Sequence, residues 1–335
     1  MGPRPLLARV ETGLRSRPDL WRGPSGPIRF FGEFGAQQFG GDLLTNVATE
    51  TDHQNCLNAH FEASSAYWTD IYEFGDVDGA IYRQRRSVVL ALAQKLALPA
   101  ESPILEIGCG SGMTSVQLAR EGYTIQAVDS VGAMIKRTRQ HAEEACVGDR
   151  VITSMRDVYD LGYADNTFDL VLKIGVAPWL YSLEKAVREV VRVLRPGGYL
   201  ITTADNWWRL HRWLDPRYLP PLAPMRRQVR NVLERLALIG PPGVSAHLHS
   251  IRAFDDRLCA AGLTKIEGKT VGFGPFSFLG CKLLPDSLGL KVHHRLQDLA
   301  DRGVPILRSM GTHYIVLARK GVTTLAPPRR SLCAM

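Results

Sequence analysis

Glycine at every second position of Gly108-Cys109-Gly110-Ser111-Gly112, directly after the apolar run Ile104-Leu105-Glu106-Ile107, constrains this 335-residue chain more than any other feature. The apolar run reads as a buried strand that passes into the glycines and then, without a spacer, into the amphipathic segment Met113–Arg120. Glycine lacks a Cβ, so such a turn reverses the chain sharply and lets a ligand lie almost against the backbone. A turn of this kind sits at the carboxyl edge of a parallel sheet, where nucleotide-like ligands bind.

A dinucleotide would call for G-x-G-x-x-G, with a third small residue drawing helix onto strand and pyrophosphate at the helix N-terminus. Here the third glycine comes one place early, at Gly112, and Met113 fills the position expected to be small. Glu106 stands just before the glycines. A carboxylate there repels phosphate but suits a ligand carrying an amino group, and the spacing points away from a dinucleotide.

Further strands follow at intervals that fit successive βα units. Thr124–Asp129 ends in an acid, and Val151–Asp157 ends in Arg156-Asp157-Val158. Phe168-Asp169-Leu170-Val171-Leu172-Lys173 is a fourth, and Leu194-Arg195-Pro196-Gly197-Gly198-Tyr199-Leu200 leads into a fifth with the proline and glycine of a turn. Together with E-x-G-x-G-x-G at Glu106–Gly112, these segments resemble the class I S-adenosylmethionine-dependent methyltransferases, in the branch that acts on quinones, tetrapyrroles and natural products. The resemblance runs from about Pro103 to Asp205, with a fainter continuation to Lys320.

That resemblance implies a Rossmann-like α/β fold: a seven-stranded, mostly parallel sheet with an antiparallel last strand, helices on both faces, an N-terminal helical cap and helical lid inserts. It implies S-adenosylmethionine as cofactor. Glu106, Gly108, Cys109, Gly110 and Gly112 would surround its methionine and ribose, Asp129 with Ser130 would take the ribose hydroxyls, and Met134 would pack on the adenine. Asp157 and Val158 would address the adenine edge, and Lys173-Ile174-Gly175-Val176 would face the transferable methyl. The family's N-terminal helices often close over the cofactor, which makes Tyr67, Trp68, Tyr72 and Arg83 candidates for that role. Simple packing of these aromatics on the sheet edge explains them equally well.

The expected organisation is a flexible tail over 1–50, a helical cap over 51–100, the sheet domain over 101–320 and a short tail over 321–335, with inserts at 205–250 and 274–310 as a substrate lid. Helices are expected over Cys56–Phe74 and Gly79–Leu98, then near 112–121, 131–146 and 182–194, over Leu222–Ile239 and over Ile251–Ala261. Strands are expected near 103–107, 124–129, 150–155, 168–173 and 198–204, over Leu263–Phe273 and over Thr312–Arg319.

Composition excludes several classes. No run of apolar residues is long enough for a membrane span. Six scattered cysteines without a C-x-x-C pair give neither a zinc site nor a disulfide framework, as expected of a reducing cytoplasm. The Arg-rich, acid-poor N-terminus suits a tail or an organellar transit peptide rather than a secretory signal. The net charge of +8 invites a nucleic-acid partner, but seven arginines fall between Trp207 and Arg235 against only Asp215 and Glu234. With Trp207, Trp208 and Trp213, that insert reads either as a lid over the pocket or as a peripheral membrane-surface element for a lipid-like acceptor.

Methyl transfer from a sulfonium is an in-line displacement whose donor brings its own leaving group, so the protein must chiefly hold the acceptor in line and away from water. The motifs therefore locate the cofactor well and the acceptor poorly. Enzymes of this kind that modify amino nitrogens of bases carry [DNS]-P-P-[YFW] after the fourth strand, where this chain has Lys173-Ile174-Gly175-Val176-Ala177-Pro178-Trp179. The expected reaction is O-methylation of a small hydrophobic or acidic metabolite. A nucleic-acid enzyme and a non-catalytic binding or scaffolding subunit are the rivals. For a general base the sequence offers His247, His249 and His211, and Asp205 at the end of strand five either lines the acceptor pocket or caps its turn.

Overall fold

The computed structural model describes residues 50–235, 246–279 and 281–322. The expected N-terminal tail, the end of the helix expected over Leu222–Ile239, and most of the C-terminal tail lie outside the described residues.

Seven strands form one sheet: β1 (Ile104–Ile107), β2 (Ile125–Asp129), β3 (Val151–Met155), β4 (Phe168–Lys173), β5 (Leu194–Asp205), β6 (Leu263–Val271) and β9 (His313–Lys320). Their order is β3-β2-β1-β4-β5-β9-β6, and β9 runs antiparallel between β5 and β6. A small hairpin, β7 (Ser277–Phe278) with β8 (Cys281–Lys282), stands apart from it. The helices are α1 (Glu50–Ala63), α2 (Ser65–Asp70), α3 (Val77–Lys95), α4 (Met113–Arg120), α5 (Gly132–Glu144), α6 (Leu183–Val193), α7 (His211–Leu214), α8 (Ala223–Arg235), α9 (Ile251–Ala260) and α10 (Asp286–Asp301). The expected architecture is therefore the observed one, and among the described residues no helix is long and apolar enough to cross a membrane.

The central strands are buried on both sides, which is why they read as near-continuous apolar runs. Leu105, Val171, Leu200 and Val316 join the cluster under α6 and α9, whereas Leu170, Leu172, Ile201 and Ile315 join the one under α3, α4 and α5. On α6, Ser182 caps the first turn by accepting a hydrogen bond from the Lys185 N–H, and Leu183, Ala186, Val187, Val190 and Val193 bury the stripe that its sequence spacing gives.

Three segments differ from expectation. The stretch expected to be one helix over Cys56–Phe74 is α1 and α2, with Ser64 between them. The helix expected from Gly79 begins at Val77, because the Asp76 carboxylate accepts from the Gly79 N–H at 2.9 Å and caps it two residues earlier. The Arg195-Pro196-Gly197-Gly198 turn is folded into β5: Leu194 pairs with Phe168 and Tyr199 with Leu170, so these four residues loop out of the ladder.

Candidate functional site

A cavity of about 200 Å³ opens along the carboxyl edge of the sheet, under α1, α2 and α3. Its wall follows the strand order. Asp157 and Val158 come after β3, Asp129 ends β2, Glu106 lies in β1, Ile174 and Gly175 follow β4, and Asp205 ends β5. A parallel sheet brings these positions together because every strand delivers its C-terminal residues to the same edge.

Two glycines of the turn do different things. At Gly110 an added Cβ would meet no atom within 4 Å and φ is +55°, so the backbone here presents itself to open space on the cavity wall. At Gly112 a Cβ would lie 2.6 Å from Thr138 Cγ2, so this glycine serves the close approach of α4 to α5 and does not line the cavity. Cys109 does line it, with its thiol 3.5 Å from Thr138 Oγ1 and its pKa pushed up by burial.

The acids are held in distinct ways. Asp129 accepts the Gly110 and Val131 N–H groups, each at 3.0 Å, which locks the glycine turn to the end of β2. Burial raises its pKa, and these N–H groups draw it part of the way back. Glu106 is almost fully buried, accepts from the Ser115 hydroxyl, and has its pKa pushed up to about 7 by burial. A cationic amine brought next to it would restore its negative form. Asp157 forms a local turn, accepting the Tyr159 N–H at 2.9 Å.

Glu106, Gly108, Cys109, Gly110, Asp129, Ser130, Met134, Asp157, Val158, Ile174 and Trp68 all line the cavity. Tyr67 does not: it packs edge-on against Trp68 and Phe74. Lys173 does not either. Side chains alternate across a strand, so it shares the face of Val171, toward α6 and α9, where it is fully buried and its Nζ has no hydrogen-bond partner. Arg83 is also turned away, since its guanidinium donates to the Tyr72 and Phe74 carbonyls and fastens the α2–α3 connection. None of the three histidines lines the cavity. His247 donates its backbone N–H to the Pro178 carbonyl, whereas half-buried His249 and buried His211 have pKa values pushed down to about 4 by desolvation, which keeps them neutral.

Other wall residues escaped the sequence reading. Gln54 and Asn58, one helical turn apart on α1, bind each other and the Ser130 hydroxyl, at 2.8 to 3.2 Å, and so dock the cap on the end of β2. Phe61 meets Trp179 edge-on at 5.1 Å. Arg85 and Arg156 are the cations on the wall; Arg85 is buried, 4.5 Å over the Tyr82 ring, and so close to the strand-four loop that a Cβ on Gly175 would come 3.2 Å from its guanidinium. Beside it, Asp205 accepts from His313 Nδ1 at 3.1 Å and lies 3.9 Å from Arg209. Burial would raise the Asp205 pKa, but His313, Arg209 and Arg85 together hold it below the usual carboxylate range.

Residues 105–202 match a family described as "Methyltransferase domain". Among curated proteins, the chain is 33% identical over 110 residues to 27-O-demethylrifamycin SV methyltransferase of Amycolatopsis mediterranei, covering 32% of this chain and 40% of that protein. It is 25% identical over 233 residues to a ubiquinone biosynthesis O-methyltransferase of Rhizobium johnstonii, covering 68% and 87%. The chain spans about half the length, or less, of several curated relatives that it matches. Among solved structures, magnesium protoporphyrin IX methyltransferase of Synechocystis PCC 6803, with bound SAH, shares the fold at a TM-score of 0.53 and 15% identity, covering 80% of this chain and 100% of that one.

Proposed function

We propose, from the premise that the sheet domain belongs to the class I S-adenosylmethionine-dependent methyltransferases, that this chain moves a methyl group from S-adenosylmethionine to a small organic acceptor, and does so at oxygen. The observation that carries this reading is the order of groups along the cavity. Acids suited to adenine, ribose and an amino group succeed one another over β3, β2 and β1, which leaves the wall over β4 and β5 for the acceptor. The residues fit the cofactor: Asp129 offers a carboxylate at the ribose position, the bare backbone of Gly110 admits close approach, and Arg85 suits the carboxylate of its methionine end. When bound, S-adenosylmethionine supplies both the methyl group and a thioether leaving group.

The chain's own residues then orient and desolvate. Gln54, Asn58, Phe61 and Trp68 close the cap over the site and keep water from it. Asp205, kept ionised, accepts a hydrogen bond from the acceptor hydroxyl, aligns its oxygen for attack, and takes the proton released as that oxygen is methylated. The O-methyltransferases among the relatives support oxygen as the target; the rings of Tyr72 and Tyr82 support a hydrophobic metabolite, and Arg85 beside them an acidic one. The arginines of α8 lie outside the cavity wall.

A screen of tritiated methyl transfer over fractionated small metabolites and lipids tests this reading and is expected to label a small-molecule fraction. With that acceptor, Asp205→Asn should lower kcat by about ten- to a hundredfold through lost alignment while S-adenosylmethionine affinity stays the same. Label in RNA alone, or unchanged turnover in the variant, contradicts it.

A further inference from the structure

The insert between β5 and α9 carries an apolar face that the cavity does not use. Met225, Val229 and Val232, spaced to share one side of α8, are 55%, 53% and 53% exposed, and none of the helix's described residues is buried. The helix is tethered from its polar side: Arg226 donates to the Pro216 and Leu219 carbonyls, at 3.2 and 2.8 Å. That loop begins at Asp215, which also accepts the Ser277 hydroxyl and the Leu279 N–H. Asp215 thus gathers three exposed apolar groups: the α8 stripe, the β7–β8 hairpin with Phe278 and Leu279, and Leu214 with Trp208 and Trp213, whose rings stack 5.6 Å apart. Single exposed apolar residues are ordinary, but eight on segments tied to one buried carboxylate and its loop mark a contact surface.

Charge decides what it contacts. Of the seven arginines in the insert, Arg209 and Arg212 are buried and Arg217 pairs with Asp215. The remaining four, Arg226, Arg227, Arg230 and Arg235, lie on α8, with Arg226 and Arg235 flanking the apolar stripe and Arg227 on the far side, against a single acid, Glu234. A second copy of the chain in a two-fold dimer would bring these like charges face to face. A helix with apolar and arginine-rich sides, next to paired tryptophans, instead matches the interface of an anionic bilayer, where apolar side chains enter the acyl boundary and arginines meet headgroup phosphates.

We propose that α8, the Trp208–Trp213 pair and the β7–β8 hairpin dock this protein on anionic lipid membranes. Flotation of the full chain with vesicles tests it, comparing phosphatidylcholine alone with phosphatidylcholine mixed with phosphatidylglycerol. The mixed vesicles should carry at least about tenfold more protein, and high salt should erase the difference. Val229→Asp with Val232→Asp should reduce binding to the phosphatidylcholine level, and Arg227→Glu with Arg235→Glu should remove the preference for phosphatidylglycerol. These side chains are exposed, so S-adenosylmethionine affinity by calorimetry should not change in either variant, which separates this result from the methyltransferase reading. Equal binding to both vesicle types overturns the proposal. So does a concentration-dependent dimer that the valine variants dissociate while vesicles capture no protein.

Discussion

Alanine in place of Asp129 is expected to weaken S-adenosylmethionine binding about a hundredfold. A carboxylate accepting from two ribose hydroxyls makes charge-assisted bonds, each contributing about 1.5 kcal/mol or more, and about 1.4 kcal/mol is a factor of ten in affinity. The same carboxylate already accepts the Gly110 and Val131 N–H groups, so its removal also releases the glycine turn from the end of β2. The free protein should therefore lose about 1 to 3 kcal/mol of stability, the usual consequence of leaving buried donors without partners. Asp129→Asn keeps one acceptor oxygen and gives up the charge, so it should fall between the two on both measures. Calorimetric titration and thermal unfolding read these effects separately. Wild-type affinity in the alanine variant would mean that the ribose does not sit over β2.

A second large effect is expected at Lys173, in stability rather than activity. Its amine is fully buried without a hydrogen-bond partner, and burial pushes its pKa down from 10.5 to about 7. In the unfolded chain the amine holds its proton up to about 10.5, but in the folded protein only up to about 7. Between those values the unfolded state binds the extra proton, so stability should rise with pH, by up to about 1.4 kcal/mol per unit. Below about 7 both states are protonated and the folded state bears the whole desolvation cost. Lys173→Met fills similar space without a charge. It should be more stable than the parent by a few kcal/mol near neutral pH, and the gap should narrow toward alkaline pH. Urea unfolding of both proteins at about pH 7 and about pH 9 checks this; parallel pH dependences would show that the amine is solvated in the folded state.

The sheet and most of the cavity wall were legible in the sequence because both depend on local signals. Buried strands announce themselves as apolar runs, and the residues at their carboxyl ends share one edge by topology alone, so Glu106, Asp129, Asp157 and Ile174 could be placed before any coordinates. Lys173 shows the limit of that argument. It is adjacent in sequence to Ile174, yet alternation along β4 sends it through the sheet to the opposite face. Arg85 depends on tertiary contacts: which side of α3 meets the sheet decides that Arg85 enters the cavity while Arg83 ties off a loop. The Gln54–Asn58 clamp carries a faint sequence signal, two amides one helical turn apart, but its target Ser130 is distant in sequence. The histidines lacked even that, since nothing in their spacing reveals that they lie behind the cavity wall rather than on it.

The insertion of β9 between β5 and β6 has a consequence for how the molecule comes into being. β5 lacks its outer neighbour, and β6 its only partner in the sheet, until His313–Lys320 has been synthesised and has slid between them. A growing polypeptide therefore displays unpaired β-edges from the completion of β5 until β9 emerges, and such edges invite pairing with other chains. Closing the gap joins segments more than a hundred residues apart, β5 and β9, and so makes the final zippering a slow, non-local event. A ribosome stalled before this strand, or a chain clipped there, should yield aggregates rather than a smaller soluble domain.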